Sequence, residues 1–189
     1  MISWQLRQAA RALRHGGIIA YPTEAVYGLG CDPLNATAVL RLLALKKRPM
    51  EKGLILIASD FQQLAPFVRT PDPGMMRRIS ATWPGPVTWL LPAKAETPTW
   101  LRGAHDTLAV RVTAHPQAAA LCRAFGGALV STSANPAGRP PARQPLRVRH
   151  YFSHYSNEPV DYILHGAVYS HTKPTDIRDA LTGKVIRAA

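Results

Sequence analysis

Apolar residues follow two spacings in turn along this chain. Leu6, Ala10 and Leu13 recur at the spacing of one helix face, and Ser3 precedes them at a position that favours a helix cap. Between segments of this kind stand short apolar runs, which are typical of buried strands. The alternation predicts an α/β fold. The predicted strands cover residues 18–21, 54–58, 87–91, 108–112, 128–130 and 160–164.

Glycine and proline mark where the predicted elements end. Helices are predicted to begin after Asn35, within residues 71–74 and at Pro116. Pro22 is predicted to break the first strand and to open a polar turn with several glycines over residues 22–30. Ligands of α/β proteins bind at such strand ends, but an ordinary strand-to-loop turn fits the same residues.

A basic cluster stands at the junction between a predicted helix and the strand at 54–58. Residues 46–53 read Lys-Lys-Arg-Pro-Met-Glu-Lys-Gly. Arginine offers a planar fork for two phosphate oxygens and lysine a compact mobile charge, so Lys46 and Arg48 together suit a triphosphate. A solvated basic helix end, whose cations complement the helix dipole, fits the same spacing.

Polar residues also occur within or directly after predicted strands. Arg111 stands between Val110 and Val112. If its side chain points inward it needs a counter-anion, and no acidic residue is adjacent in sequence. If it lies on a solvated face of the strand, it needs none. Residues 131–138 are rich in hydroxyls and include an amide, which suits phosphate oxygens or a small polar substrate, although a capping turn looks similar. Residues 139–150 are basic and contain prolines, which predicts a mobile flap or a nucleic-acid contact.

Composition narrows the class of protein. The 189 residues, 47% hydrophobic and 18% charged, suit one globular domain. Lys and Arg number 23 against 11 Asp and Glu, and the net charge of +12 indicates an anionic partner such as nucleic acid, nucleotide phosphates or an anionic membrane. No apolar run approaches the ~20 residues of a membrane span, and arginines interrupt any N-terminal signal segment. The 2 cysteines form neither a CxxC pair nor a disulfide framework, which fits a reducing cytoplasm.

Several familiar catalytic motifs are missing from the sequence. It contains no Walker A loop, no Gly-x-Ser-x-Gly elbow and no HExxH zinc motif. The remaining candidates are cationic and hydroxyl-rich, without an obvious nucleophile. Such a set suits phosphoryl or nucleotidyl transfer, in which catalysis is positioning and charge stabilisation.

Four stretches of the chain together resemble the signatures of the YrdC-like threonylcarbamoyl-AMP synthase family. They are residues 21–30, 46–49, 83–88 and 131–140, in the order that the family has them. The resemblance covers essentially the whole chain and is to the short bacterial form, without the extra C-terminal domain of longer members. It implies a single YrdC-like domain over residues 1–189, with a twisted mixed sheet and flanking helices around a large, positively charged cavity.

The resemblance also implies an activity. Members of this family form L-threonylcarbamoyladenylate and pyrophosphate from L-threonine, bicarbonate or CO2, and ATP, a nucleotidyl transfer accompanied by Mg²⁺. The tRNA threonylcarbamoyl transferase proteins then modify N6 of adenosine 37 in tRNA. The implied protein is cytoplasmic and has no membrane partner, and tRNA or double-stranded RNA is a candidate direct contact.

Roles of single residues follow from the positions that match the family's motifs. Lys46 and Arg48 are implied to be catalytic through their grip on the phosphates, and Arg111 is implied to pair with the threonine carboxylate. The implied ATP contacts are Lys46, Arg48, Lys52, Thr107, Ser133, Asn135 and Arg187, and the implied threonine contacts are Thr23, Arg111, Ser131 and Thr175. No residue is assigned to a metal.

Two other functions stay open. The charge of +12 directly supports a non-catalytic double-stranded RNA or ribosome-assembly binding module, because basic charge gives phosphate affinity without any reaction. A carbamoyl-adenylate enzyme that uses carbamoyl phosphate, like the related domain of hydrogenase maturation factors, fits this short chain less well. Differences from the longer family members at Ala25, Lys52, Gly53 and Ile57 leave the threonine contacts the least defined part of the site.

Overall fold

The predicted alternation of helices and strands is present in the computed structural model of the protein, which describes residues 3–154, 159–169 and 175–188. The helices are α1 (Trp4–Arg14), α2 (Ala36–Lys46), α3 (Pro73–Ser80), α4 (Thr99–Arg102), α5 (Pro116–Phe125) and α6 (Pro145–His154), with short 3-10 helices at Met50–Lys52 and Phe61–Gln63. The strands are β1 (Ile19–Pro22), β2 (Tyr27–Gly30), β3 (Ile55–Ala58), β4 (Thr88–Pro92), β5 (Thr107–Val112), β6 (Leu129–Ser133), β7 (Tyr162–Ile163), β8 (Ile177–Asp179) and β9 (Val185–Arg187).

The strands form one mixed sheet of nine strands in the order β7-β1-β2-β6-β3-β5-β4-β8-β9. The pairs β1 with β7, β3 with β5 and β4 with β8 are parallel, and the other neighbouring pairs are antiparallel. The predicted α/β class and the mixed sheet are therefore confirmed. No helix among the described residues is long and apolar enough to cross a membrane.

The two faces of the sheet are covered unequally. On one face, strand residues such as Leu56, Val110 and Val130 pack with residues of α2, α3, α4 and α6 in the larger hydrophobic core. On the other face, Ile57 and Leu129 pack with residues of α1 and α5 in a smaller core. The second face is left partly open, and its half-buried residues include Ile55, Thr107, Ala109 and Ser133.

The C-terminal end of helix α2 places the basic cluster of residues 46–53 at the edge of this open region. Its N-terminus is capped as predicted, since the Asn35 side chain accepts a hydrogen bond from the Ala38 N–H at 3.0 Å. The helix ends at Lys46 because the next residue, Lys47, adopts the left-handed conformation with φ of 48°. Lys46 is thus the last helical residue, and Pro49 follows only after the helix has already ended.

Residues 22–30 are not a loop, contrary to the prediction. Pro22 is the last residue of β1, and β2 runs antiparallel to it with Tyr21 opposite Gly28. Only residues 23–26 form a turn between the two strands. Proline is tolerated at the end of a strand, so Pro22 did not have to end the sheet pairing. The two glycines of β2 weaken the apolar pattern typical of a strand, and for this reason β2 was not predicted although all its residues are buried.

Residues 139–150, predicted to be a mobile flap or a nucleic-acid contact, are attached to their neighbours through Ala142 and continue as a helix. Ala142 is fully buried, its carbonyl accepts the Tyr27 N–H at 2.7 Å, and its own N–H donates to Ala134 O at 3.0 Å. From Pro145 onward the segment is helix α6. Backbone hydrogen bonds and burial therefore anchor this segment beside β2.

Candidate functional site

Several predicted site residues lie on the open part of the second sheet face. Ile55 of β3 pairs with Ser131 of β6 on one side and with Ala109 of β5 on the other. Further along β3, Ile57 pairs with Arg111. Paired residues project to the same side of a sheet, and so do alternate residues of one strand. The predicted site residues on this face are Thr107, Arg111, Ser131 and Ser133.

Lys46 lies against the hydroxyl-rich end of β6, which continues to Ser133 instead of stopping at residue 130. Its Nζ donates to Ser133 O at 2.6 Å, to Asn135 O at 2.5 Å and to Asn135 Oδ1 at 2.8 Å. The Ser133 hydroxyl donates to the same Asn135 Oδ1 at 2.7 Å. The structure therefore brings the basic cluster and the serine-rich strand end into direct contact.

Three cations lie close together at this corner of the sheet. Arg48 donates to Gly53 O from Nε at 3.1 Å and from Nη2 at 2.8 Å. Burial, and next the charge of Arg48, lowers the pKa of Lys46 to about 8. Burial, and next the charge of Arg187, lowers the pKa of Arg48. No ion pair between described residues includes any of these three, so their mutual repulsion favours a bound anion.

Arg111 points into the protein and is 5% exposed. Its Nη2 is 3.5 Å from Glu24 Oε2, and its Nη1 donates to Thr175 Oγ1 at 3.0 Å. The counter-anion that an inward Arg111 needs is therefore present, although no acidic residue is adjacent to it in sequence. The partner comes from the turn between β1 and β2, far from Arg111 in sequence.

Glu24 is itself held firmly in place. It is 2% exposed, and its Oε1 accepts hydrogen bonds from Thr113 Oγ1 at 2.6 Å and from the Ala114 N–H at 3.2 Å. Burial by itself would raise the pKa of Glu24, but the Arg111 charge and these hydrogen bonds outweigh it and leave the pKa lowered. Glu24 is thus a fixed carboxylate at neutral pH.

Thr23 and Ser131 stand on either side of a glycine that leaves room between them. A Cβ placed on Gly28 would lie 3.3 Å from Thr23 Cγ2, 3.3 Å from Tyr21 Cζ and 3.4 Å from Ser131 Oγ. The Thr23 hydroxyl donates to Val26 O at 2.7 Å. Burial raises the pKa of Tyr21 well above its usual range, so this wall of the site is neutral.

Thr175 connects the cationic corner with Arg111. Its side-chain oxygen accepts from Arg111 Nη1 at 3.0 Å, and its carbonyl accepts from Arg187 Nη2 at 3.2 Å. Arg187 in turn lies close enough to Arg48 to affect its pKa. Lys52, by contrast, is exposed, and only its carbonyl is tied to the cluster, through a hydrogen bond from Arg48 at 3.4 Å.

Sequence reasoning missed two residues of this arrangement, Glu24 and Thr113. Glu24 belongs to the stretch 22–30, which the sequence singles out as a place where ligands gather. The one signal in the sequence that could have identified Glu24 as a site residue was that it is the only carboxylate in that stretch. Its partner Arg111 could not be identified without the fold, because the two residues are far apart in sequence and three strands lie between β1 and β5 in the sheet.

Two further features bear on what the site holds. Among the described residues, no group of three or more His, Cys, Asp or Glu side chains could hold a metal ion. A cleft of about 470 Å³ between α1, α6 and β7 is lined by residues such as Trp4, Phe152 and Tyr162, and it contains none of the predicted site residues. The open sheet face is therefore the place where the candidate chemistry is gathered.

The fold and the clustered site define a family. The family model Sua5/YciO/YrdC, described as "Telomere recombination", matches residues 11–189, and the chain belongs to this family. A threonylcarbamoyl-AMP synthase of Nitrosococcus oceani is 55% identical over 185 residues, which cover 98% of this chain and 98% of that protein. One of Cellvibrio japonicus is 53% identical over 191 residues, covering 99% of each chain.

A solved structure supports the same assignment of the fold. The crystal structure of "P. abyssi Sua5 complexed with L-threonine" superposes with a TM-score of 0.88 at 30% identity and covers 97% of this chain. This chain spans about half the length of that protein, since the match covers 54% of it. The YrdC-like fold implied by the resemblance is confirmed.

Proposed function

We propose that this protein is a threonylcarbamoyl-AMP synthase, forming L-threonylcarbamoyladenylate and pyrophosphate from L-threonine, bicarbonate or CO2, and ATP. Relatives that carry this name match nearly the whole chain at 55% and 53% identity. The observation that carries the proposal is the bridge through Thr175, which joins a cationic corner to a buried arginine on one open sheet face. Such a site suits an anionic nucleotide and a small carboxylate side by side.

The reaction needs no nucleophile from the protein. The amine of threonine attacks CO2 and loses a proton, which gives a carbamate. A carbamate oxygen then attacks the α-phosphorus of ATP, a new P–O bond forms, and the bond to the bridging oxygen breaks as pyrophosphate leaves. The protein must offset the repulsion between two anions, and Lys46, Arg48 and Arg187 supply the fixed positive charge.

We assign the ATP contacts to the cationic corner and the strand end beside it. Lys46 and Arg48 hold the phosphates, and Ser133 with Asn135 contacts the nucleotide. The support is the hydrogen-bonded set that Lys46 makes with the turn of residues 133–135, which fixes the positions of these groups before the ligand arrives. The further ATP contacts proposed are Lys52, Thr107 and Arg187.

We assign the threonine pocket to the other half of the site. Arg111 pairs with the threonine carboxylate, and Thr23, Ser131 and Thr175 shape the pocket around it. The support is the burial of Arg111 and the space that Gly28 leaves between Thr23 and Ser131. A buried guanidinium favours a planar carboxylate ligand.

Mg²⁺ is proposed to accompany the triphosphate. Mg²⁺ usually keeps several waters and binds substrate phosphates rather than an all-protein cage, and the Ser133 hydroxyl is a hard oxygen donor next to the cationic corner. When bound, the ion neutralises phosphate charge. The residues of the chain hold and orient the phosphates around it.

The biological setting is proposed from the same activity. One domain over residues 1–189 works in the cytoplasm and passes its adenylate to tRNA threonylcarbamoyl transferase proteins for N6-threonylcarbamoyladenosine at tRNA position 37. The net charge of +12 supports contact with tRNA or double-stranded RNA as a second property.

The test is pyrophosphate release by the purified protein with ATP. We expect release only when both L-threonine and bicarbonate are present, together with a product of the mass of threonylcarbamoyladenylate. A binding module without catalysis would release none, and its RNA affinity would survive Lys46→Ala and Ser133→Ala. Release that required carbamoyl phosphate instead would indicate a carbamoyl-adenylate enzyme.

A further inference from the structure

The hydrogen bonds of Arg111 leave one buried edge of its guanidinium without a hydrogen-bond partner among the described residues. Nη1 donates to Thr175 Oγ1 at 3.0 Å, and Nε is buried without a hydrogen-bond partner among the described residues. Nε and Nη2 lie on the same edge of the guanidinium and offer two parallel N–H groups. That edge is the fork with which arginine binds a carboxylate in a bidentate way.

Glu24 approaches this fork without closing it. Its Oε2 is 3.5 Å from Arg111 Nη2, which is longer than the roughly 2.7–2.9 Å of a charge-assisted hydrogen bond. Oε2 has no hydrogen-bond partner among the described residues. The other oxygen, Oε1, is fixed by Thr113 Oγ1 at 2.6 Å, so the carboxylate cannot advance freely toward the arginine.

The charge of Glu24 also allows Arg111 to stay buried and ionised. A guanidinium removed from water without a nearby anion is strongly destabilised. A carboxylate that touched the fork at full hydrogen-bond strength would stabilise the arginine but would occupy the place of a substrate carboxylate. A carboxylate held at 3.5 Å offsets the buried charge and leaves the N–H groups of Nε and Nη2 without a close acceptor.

We propose that Glu24 is a positioning residue for threonine binding: its anchored carboxylate holds the ionised Arg111 guanidinium in place, and Arg111 keeps unpaired N–H groups for the carboxylate of the substrate. This inference rests on the proposed function. It assigns to Glu24 an effect on threonine that acts through Arg111 and no effect on ATP. Thr113 is part of the same arrangement because its hydroxyl donates a hydrogen bond that fixes the Glu24 carboxylate.

The central experiment is a double-mutant cycle on threonine affinity. Glu24→Gln keeps the shape of the side chain and removes its charge. We expect it to weaken threonine binding about tenfold, which is within the usual range of coupling between contacting residues, and to leave the Kd of ATP unchanged. In an Arg111→Gln background, Glu24→Gln should add no further loss of threonine affinity.

Control variants separate positioning from a general loss of structure. Asp161→Asn removes another carboxylate of an arginine pair, the one with Arg41 at 2.7 Å, and should leave threonine affinity unchanged. Thr113→Val keeps the volume but removes the hydroxyl that fixes Glu24, and should cause a smaller loss that again affects threonine alone. Thr113→Val also keeps the test valid if Glu24→Gln fails to fold.

The outcomes distinguish this inference from the proposed function. If the unaltered protein releases no pyrophosphate with threonine and bicarbonate, the proposed function fails. If it does, but Glu24→Gln and Thr113→Val leave threonine affinity as it was, only the positioning role fails. A loss from Glu24→Gln that persists undiminished in the Arg111→Gln background would also overturn the positioning role, because it would show an action independent of Arg111.

Discussion

The Lys46 ammonium donates a hydrogen bond to the side-chain oxygen of Asn135 at 2.8 Å. The same nitrogen also donates to the carbonyls of Ser133 and Asn135, so all three of its N–H groups have acceptors. The acceptors are neutral, and the lysine charge therefore remains uncompensated. Lys46 both ties the end of α2 to the end of β6 and leaves positive charge at the proposed phosphate site.

Replacing Lys46 with methionine should affect both ATP binding and stability. We expect ATP affinity to fall at least about tenfold, and unfolding free energy to fall by about 1–2 kcal/mol because three acceptors lose their donor. Titration with ATP and urea unfolding would measure the two effects.

The matched control is Lys47→Met, which removes the neighbouring lysine on the exposed side of the helix end. Lys47→Met should change ATP affinity and unfolding free energy much less than Lys46→Met does. Equal losses of ATP affinity in both variants would show that the phosphate is attracted by general surface charge instead of by Lys46.

The lowered pKa of Lys46 predicts that ATP binding takes up protons. With its pKa at about 8 in the free protein, Lys46 is partly neutral at slightly alkaline pH, and a bound triphosphate favours the charged form. ATP affinity should therefore decline as the pH rises through 8, and binding at about pH 8.5 should be accompanied by proton uptake. Calorimetry in two buffers of different ionisation enthalpy measures that uptake.

The linkage to folding has the opposite sign from the linkage to binding. The folded pKa of about 8 lies below the ordinary value of 10.5, so between these pH values the unfolded chain binds more protons. The contribution of Lys46 to stability therefore rises with pH in this window, while its grip on phosphate weakens. Lys46→Arg keeps the charge at these pH values and should abolish the proton uptake; undiminished uptake in that variant would assign it to another group.

Arg111→Lys should separate charge from hydrogen-bond geometry in the proposed threonine pocket. The lysine keeps a cation opposite Glu24, whose buried carboxylate would otherwise be left unpaired, but it has no planar fork. We expect a folded protein in which the threonine requirement rises at least about tenfold while that for ATP changes little. Steady-state pyrophosphate release with each substrate varied in turn gives both values, and equal increases for the two substrates would contradict the assignment.

Elements whose ends are marked by residues nearby in sequence were predicted correctly. Helix α5 runs over Pro116–Phe125 as predicted, because a proline at its start and glycines after its end are visible in the sequence. Strand β2 was missed because two of its four residues are glycine, and what makes it a strand is pairing with β1 and β6. Pairing of that kind depends on distant segments.

The candidate site shows the same division. The stretches around Lys46 and Ser133 were singled out from the sequence, and the match to family motifs linked them. The contact of Arg111 with Glu24 could not be predicted, because each residue looks ordinary alone and only the complete fold brings them within 3.5 Å. The sequence neighbours of Arg111 include no acidic residue, so they could not reveal its counter-anion.

Ala142→Leu tests whether residues 139–144 are anchored as the structure indicates. Ala142 is fully buried, and its N–H and carbonyl bond to Ala134 and Tyr27 at 3.0 and 2.7 Å. A larger side chain has no space there, so unfolding free energy should fall by about 1–3 kcal/mol, measured by urea unfolding. The matched substitution Ala137→Leu, at an exposed position of the same loop region, should have little effect. If both variants were as stable as the unaltered protein, the segment would behave as the mobile flap that its prolines and arginines predicted.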